Sequence, residues 1–220
     1  MAEIQDILQK YWGHTAFRPL QEEIIQSVLE GKDTLALLPT GGGKSICFQV
    51  PALALPGICL VITPLIALMQ DQVDQLNRRG IPATAIFSGL RKRQIDILLD
   101  NCIYGNTKFL YVSPERLKTD LFIERAKQMN ISLLVIDEAH CISQWGYDFR
   151  PPYLEIASFR ERFPNVPCIA LTASANEEVK IDIMEKLQFK QAAVFQKSFS
   201  RPNLSYSVLY EADKEKKLCS

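Results

Sequence analysis

The sequence has 220 residues, with 25 basic and 25 acidic side chains and a formal net charge of zero. Hydrophobic residues make up 47% and charged residues 23%, which excludes a disordered chain and allows one large core or two small ones. No apolar stretch approaches the ~20 residues that span a bilayer, and zero net charge means that a nucleic-acid partner has to be argued from local residues. In chain order, residues 1–12 are amphipathic with early acids, unlike a signal peptide. Pro19 is placed to open a helix over 19–30. Short apolar runs at 34–38, 58–62, 83–87, 108–112, 132–136 and 168–172 then alternate with helix-like stretches at 44–55, 66–79, 91–102, 120–129, 152–162 and 176–187. Runs this apolar are the habit of parallel strands covered on both faces, so the pattern predicts an α/β fold, a doubly wound and mostly parallel β-sheet flanked by helices.

Residues 195–210 offer one more strand, and a charged, helix-forming stretch begins at Glu211 just before the chain stops. That ending reads as a cut in a longer protein. The expected divisions are N-terminal helices over 1–30, the main lobe over 31–208 and the start of a connection over 209–220. The six cysteines (Cys47, Cys59, Cys102, Cys141, Cys168 and Cys219) are far apart and form no CxxC pair. They read as buried free thiols in a reducing compartment, with no zinc site in this segment.

Two motifs carry chemistry. The strand at 34–38 runs into Pro39-Thr40-Gly41-Gly42-Gly43-Lys44-Ser45 and then a helix. Glycines let the backbone amides curl around phosphates, and a helix start adds positive charge. Lys44 would reach the β- and γ-phosphates and the Ser45 hydroxyl would ligate Mg²⁺. The strict pattern has glycine where this chain has Leu38. The strand at 132–136 ends in Asp137-Glu138-Ala139-His140. At the carboxyl end of a neighbouring parallel strand, Asp137 would hold Mg²⁺ and Glu138 would accept a proton from the attacking water. Together the motifs predict hydrolysis of a nucleoside triphosphate, with Lys44, Asp137 and Glu138 as the catalytic residues. The segment CISQWGYDFRP (141–151) follows, broken by Gly146 and closed by Pro151. It reads as a loop exposing Trp145, Tyr147, Phe149 and Arg150, although Trp145 and Phe149 could also fold back as a local cluster.

With FRPLQEEII (17–25), LPTGGGKS (38–45), VITPLIALMQDQV (61–73), YVSPERL (111–117), VIDEAHCISQWGYDFRP (135–151), LTASA (171–175) and SFSRPNL (198–204), the chain resembles superfamily 2 helicases, and among them RecQ-type DNA helicases. The resemblance implies the first RecA-like lobe of an ATP-dependent 3′–5′ DNA helicase acting in repair and recombination. It assigns His14, Arg18 and Gln21 to adenine recognition, with His14 where relatives carry a phenol and Leu20 where glycine is common. It makes Gln144, Trp145, Phe149 and Arg150 an aromatic-rich loop that senses single-stranded DNA, with His140 as its relay to the nucleotide; a structural histidine is the alternative. Thr63, Ser113 and Arg116 would hold DNA phosphates, Thr172 and Ser174 would link the two sites, and Arg201 would touch the nucleotide end of the cleft. Expected partners are single-stranded and partially duplex DNA and a second lobe with further C-terminal regions absent from this chain. The isolated chain is therefore expected to hydrolyse ATP slowly and not to unwind. The expected location is the cytoplasm, at the nucleoid in a bacterium, or the nucleus in a eukaryote. An RNA-dependent ATPase of the same superfamily, or a non-catalytic nucleotide-gated module, are the alternatives.

Overall fold

In the computed structural model, which describes residues 2–146 and 148–197, each apolar run becomes a strand. The order is α1 (Ala2–Trp12), α2 (Gln21–Leu29), β1 (Thr34–Leu37), α3 (Lys44–Ala54), β2 (Ile58–Ile62), α4 (Ile66–Arg78), β3 (Ala83–Ile86), α5 (Lys92–Tyr104), β4 (Phe109–Val112), α6 (Asp120–Ala126), β5 (Ile131–Ile136), α7 (Glu155–Arg160), β6 (Cys168–Thr172), α8 (Glu177–Lys186) and β7 (Ala193–Gln196). Three short 3₁₀ turns lie at Pro114–Lys118, Ala139–Ile142 and Pro151–Leu154. The strands form one sheet in the order β3-β4-β2-β5-β6-β1-β7, and every pairing between them is parallel.

Alternate side chains of each central strand enter opposite cores, as the two-residue period of a strand requires. Leu35, Leu37, Leu60, Ile62, Leu110, Val112, Leu134 and Ile136 pack with Phe122, Ile156, Phe159 and Ile183 on one face. Ala36, Cys59, Val61, Tyr111, Leu133, Val135, Ile169 and Leu171 pack with Ile24, Phe48, Met69 and Leu76 on the other. A third cluster joins Ile4 and Leu8 of α1 to Ile25 and Val50, which seats the N-terminal helix on α2 and α3. No helix of the described residues is long and apolar enough to cross a membrane.

Two boundaries differ from the sequence expectation. Pro19 does not open α2: Leu20 caps it in the left-handed region (φ 71, ψ −10), a conformation glycine adopts freely and a branched residue does not. The helix expected over 152–162 is split, because Pro151 and Pro152 support only a 3₁₀ turn before α7 begins at Glu155. The last strand of the described residues is Ala193–Gln196; most of the strand expected within 195–210, Arg201 and the connection at 209–220 lie outside the described residues.

The end of the sheet remote from the strand carboxyl ends is tied by a buried ion pair. Arg160 Nη2 lies 2.5 Å from Asp33 Oδ2, and the two residues are 8% and 5% exposed. Asp33 also accepts the backbone N–H groups of Cys168 (3.3 Å) and Lys190 (2.7 Å), and Arg160 donates to the Leu187 carbonyl. One carboxylate thus joins the entries of β1 and β6 to the turn before β7. Removing one partner of such a pair leaves a buried charge and costs about 3–5 kcal/mol. Arg160→Met is expected to lower the unfolding free energy by that amount in urea denaturation. A loss below about 1 kcal/mol would mean that the two backbone donors suffice to hold Asp33.

Candidate nucleotide and coupling site

The topology brings the motifs together. Pro39–Gly43 follows β1, Asp137 and Glu138 follow β5, Thr172 ends β6 and Thr63 follows β2, so all lie along the carboxyl edge of the sheet. The sequence placed the acidic strand beside the phosphate-loop strand; instead β6 lies between β1 and β5. This correction matters, because it puts Thr172 between the two motifs.

Gly41 and Gly43 are left-handed (φ 75 and 80), and a Cβ on Gly42 would sit 2.7 Å from the Pro39 carbonyl oxygen. The turn therefore needs its glycines, and Gly43 hands the chain to α3 with Lys44 at its first position. Thr40 and Gly41 are exposed at its crest. Arg18 Nη1 donates to the Gly41 carbonyl (2.7 Å), Gln21 Nε2 donates to the Gly43 carbonyl (3.0 Å), and Gln21 Oε1 accepts from Arg18 N (2.8 Å). The segment assigned to adenine is thus stapled to the phosphate loop. Gln21 uses one N–H and one lone pair in these bonds, which leaves one N–H and lone-pair capacity for a base edge.

Beside this staple is a cavity of about 700 Å³, within the range of small-molecule sites. Its wall includes Trp12, His14, Arg18, Gln21, Gly43 and Ser45. Gln49 of α3 and Gln72, Gln75 and Arg79 from α4 and its end complete it. Sequence reasoning missed these four, since polar residues on a helix face have no motif until the fold turns that face toward the cavity.

On the other side of Lys44, Nζ lies 3.5 Å from Glu138 Oε1. Glu138 is itself left-handed (φ 49, ψ 47), a strained conformation for a side chain of its kind, which turns the chain sharply after β5. Its Oε2 lies 3.3 Å from His140 Nδ1, and the same nitrogen lies 2.9 Å from Thr172 Oγ1. Thr172 Oγ1 donates to the Ser174 carbonyl (3.1 Å) and accepts from Ser174 N (3.3 Å). A continuous polar chain therefore runs Lys44–Glu138–His140–Thr172–Ser174. His140 thus meets both Glu138 and Thr172 at its Nδ1 edge.

Asp137 is 6% exposed, accepts from Glu138 N (3.1 Å) and has Thr63 Oγ1 at 3.4 Å; its backbone carbonyl accepts from Tyr153 OH (2.9 Å). Burial, helped by the neighbouring Glu138 charge and opposed by Lys44, pushes its carboxyl up to about 6. Ser45 and Asp137 offer hard oxygen donors of the kind Mg²⁺ takes. Thr63, assigned to DNA phosphates, is fully buried with its hydroxyl toward Asp137, so the structure places it under the acidic site and away from the surface. Ser113 is also buried, and its N–H goes to the Ile86 carbonyl (3.4 Å). Arg116 is half-buried, donates from Nη2 to the Phe87 carbonyl (3.3 Å) and has no partner for Nε among the described residues.

The loop after His140 is partly folded back and partly presented. It starts as a 3₁₀ turn with Cys141, Ile142 and Ser143 buried, and Arg150 N closes its base on the Cys141 carbonyl (2.8 Å). Gln144 is exposed and Trp145 is 71% exposed. Phe149 is half-buried, with Lys186 Nζ 6.0 Å from its ring centre. Lys186 also donates to the Ile142 carbonyl (3.2 Å), so α8 braces the loop from below, a role no motif signalled. Arg150 donates to Asp148 Oδ2 from Nε (3.2 Å) and Nη2 (2.9 Å). Tyr147 lies outside the described residues.

Residues 18–181 match the DEAD/DEAH box helicase family, the span that holds both motifs and Thr172. The chain belongs to that family. Its curated relatives include the probable ATP-dependent DNA helicase RecS of Bacillus subtilis, 43% identical over 99% of this chain and 44% of that protein. The ATP-dependent DNA helicase RecQ of Pasteurella multocida is 42% identical over 97% of this chain and 34% of that protein. The chain therefore spans less than half the length of these relatives. Among solved structures, the helicase domain of Hef from Pyrococcus furiosus matches with a TM-score of 0.64 at 21% identity, covering 89% of this chain and 40% of that one. A hypothetical ATP-dependent RNA helicase from Sulfolobus tokodaii matches with a TM-score of 0.62 at 20% identity, covering 89% and 57%. The fold is thus the RecA-like domain of helicases, and fold alone does not separate DNA from RNA relatives.

The raised Asp137 carboxyl gives a sign to test. Holding it ionised at neutral pH costs the fold on the order of 3 kcal/mol, a cost absent once both folded and unfolded forms are protonated. Asp137→Asn is therefore expected to raise the melting temperature above pH 6, measured without nucleotide or divalent cation. The gain should shrink as pH falls from 6 toward 4. A variant less stable than wild type at pH 7 would show that Asp137 is held by favourable contacts instead.

Proposed function

We propose that this chain is the first motor lobe of a RecQ-type helicase, which couples ATP hydrolysis to movement along single-stranded DNA in the 3′–5′ direction and to duplex unwinding in repair and recombination. The observation that carries the proposal is the polar chain from Lys44 through Glu138 and His140 to Thr172, next to an exposed Trp145. Both relatives are named as ATP-dependent DNA helicases, which supports DNA as the track. The buried thiols support a reducing compartment, the cytoplasm or the nucleus.

The residues divide the work by charge. Gly41–Gly43 and the start of α3 present N–H groups to phosphates, and Arg18, Gln21 and His14 hold the base end in the cavity. Lys44 and Glu138 neutralise each other until a phosphate takes the lysine. Glu138 then has an oxygen free to accept a proton from water, while Oε2 stays against His140. Ser45 and Asp137 would hold Mg²⁺, which neutralises charge on the phosphates when bound. Because His140 is adjacent to Cys141, a shift in Glu138 reaches the base of the loop within one residue. Trp145 offers a face on which any base can stack, and the guanidinium of Arg150 can leave Asp148 for a phosphate. Arginines from a second lobe usually complete such sites, so slow hydrolysis without unwinding is proposed for these 220 residues alone.

The test uses the whole protein and compares single-stranded DNA with RNA as activator of ATP hydrolysis. Trp145→Ala is expected to leave ATP affinity unchanged and to weaken activation by DNA roughly 5- to 150-fold, the equivalent of ~1–3 kcal/mol of stacking. Equal losses in ATP binding and DNA activation would make the loop structural. Activation by RNA in preference to DNA would assign the motor to the other nucleic acid.

A further inference from the structure

Beyond the ATP motor, we propose that His140, Cys141 and Asp148 form a Zn²⁺ site at the base of the aromatic loop. The Cys141 sulfur lies 3.8 Å from His140 Nε2 and 3.7 Å from Asp148 Oδ2, and all three donor atoms lie within 4.8 Å of one another. Ligands at Zn–N, Zn–O and Zn–S lengths of ~2.0–2.3 Å on a tetrahedron stand about 3.3–3.7 Å apart, so one ion fits with little movement. One nitrogen, one sulfur and one carboxylate oxygen are a borderline-soft set that suits Zn²⁺ and not Mg²⁺.

The hydrogen bonding around His140 independently points to a ligand. Thr172 Oγ1 gives its proton to the Ser174 carbonyl and so accepts at His140, which places the imidazole proton on Nδ1. Glu138 Oε2 at 3.3 Å favours the same tautomer. Nε2 is left with a lone pair facing the thiol and Asp148. A histidine whose far nitrogen is held by a hydroxyl and a carboxylate, with the near one free, is the arrangement that metal-binding histidines use. Cys141 is fully buried while Asp148 is exposed, so an ion would enter from the Asp148 side and leave a fourth position open to water.

Binding displaces the thiol proton to solvent and takes Asp148 Oδ2 away from Arg150, which holds it at 2.9 Å. The ion would fasten Asp148 to the start of the loop, nine residues' worth of chain closed on itself, and would tie the loop to the same imidazole that contacts Glu138. The site is thus a brake on the loop, sensitive to free Zn²⁺. Its spacing, His-Cys followed by an aspartate across a turn, has no CxxC pair and so escaped the sequence expectation of no zinc in this segment.

The test is a Co²⁺ titration of the full chain carrying Cys219→Ser, followed by absorbance. One ion per chain with tetrahedral d–d bands and a thiolate-to-cobalt charge-transfer band is expected, bleached by stoichiometric Zn²⁺ and untouched by excess Mg²⁺. Cys102→Ser should keep the charge-transfer band and Cys141→Ser should lose it, with unchanged circular dichroism in both. Thr172→Val, which removes the hydroxyl that supports His140 and also bonds Ser174, should weaken Co²⁺ binding about 10- to 100-fold with unchanged circular dichroism. The proposal is overturned if wild type gives no charge-transfer band, if the band survives Cys141→Ser, or if Mg²⁺ displaces the cobalt.

Discussion

Glu138 sits between two partners, and the organisation of the site depends on that position. One oxygen is 3.5 Å from Lys44 of the phosphate loop and the other is 3.3 Å from His140 at the root of the aromatic loop. A carboxylate shared in this way cannot change its bond to one partner without changing the field at the other. The left-handed turn at Glu138 makes the sharing possible, since an ordinary strand exit would not turn the chain so sharply before His140. The sheet order supplies the rest: with β6 between β1 and β5, Thr172 sits where it can fix the ring of His140.

The site is held at some expense to the fold. Asp137 is nearly buried with its carboxyl pushed up to about 6, and Glu138 and Leu20 both occupy backbone conformations that glycine would adopt without strain. Strain of this kind persists only when the surroundings over-determine it. Here the surroundings are two cores on either face of a wholly parallel sheet, and the Asp33–Arg160 pair that fastens the sheet's opposite end. The ion pair and the candidate site thus lie at opposite ends of the sheet.

Much of the fold was legible because parallel strands buried on both faces leave unbroken apolar runs, and six of these predicted β1 to β6 to within a residue or so. Lys44, Asp137 and Glu138 were legible for a similar reason: phosphate chemistry demands a glycine turn and a carboxylate at strand ends. What the sequence hid was set by tertiary placement. Strand order is not written in the strands, so the neighbour of β1 was misassigned. Thr63 looked like a surface hydroxyl because a strand-end threonine gives no sign of the aspartate buried beside it. Lys186 and the cavity wall from α4 belong to helix faces whose direction only the packed structure decides. The aromatic loop split the two readings offered for it: Trp145 is presented to solvent, and Phe149 is drawn back over Lys186.

The most direct measurement of the central claim follows Trp145 emission while ATP binds. The chain has two tryptophans, and Trp12 lines the cavity, so a Trp12→Phe background isolates the loop signal. If Glu138 and His140 transmit nucleotide state, a non-hydrolysable ATP analogue with Mg²⁺ will change the emission of Trp145, and His140→Ala will abolish that change while the analogue still binds. An emission change of the same size without His140, or a silent Trp145 at saturating nucleotide, would contradict the account.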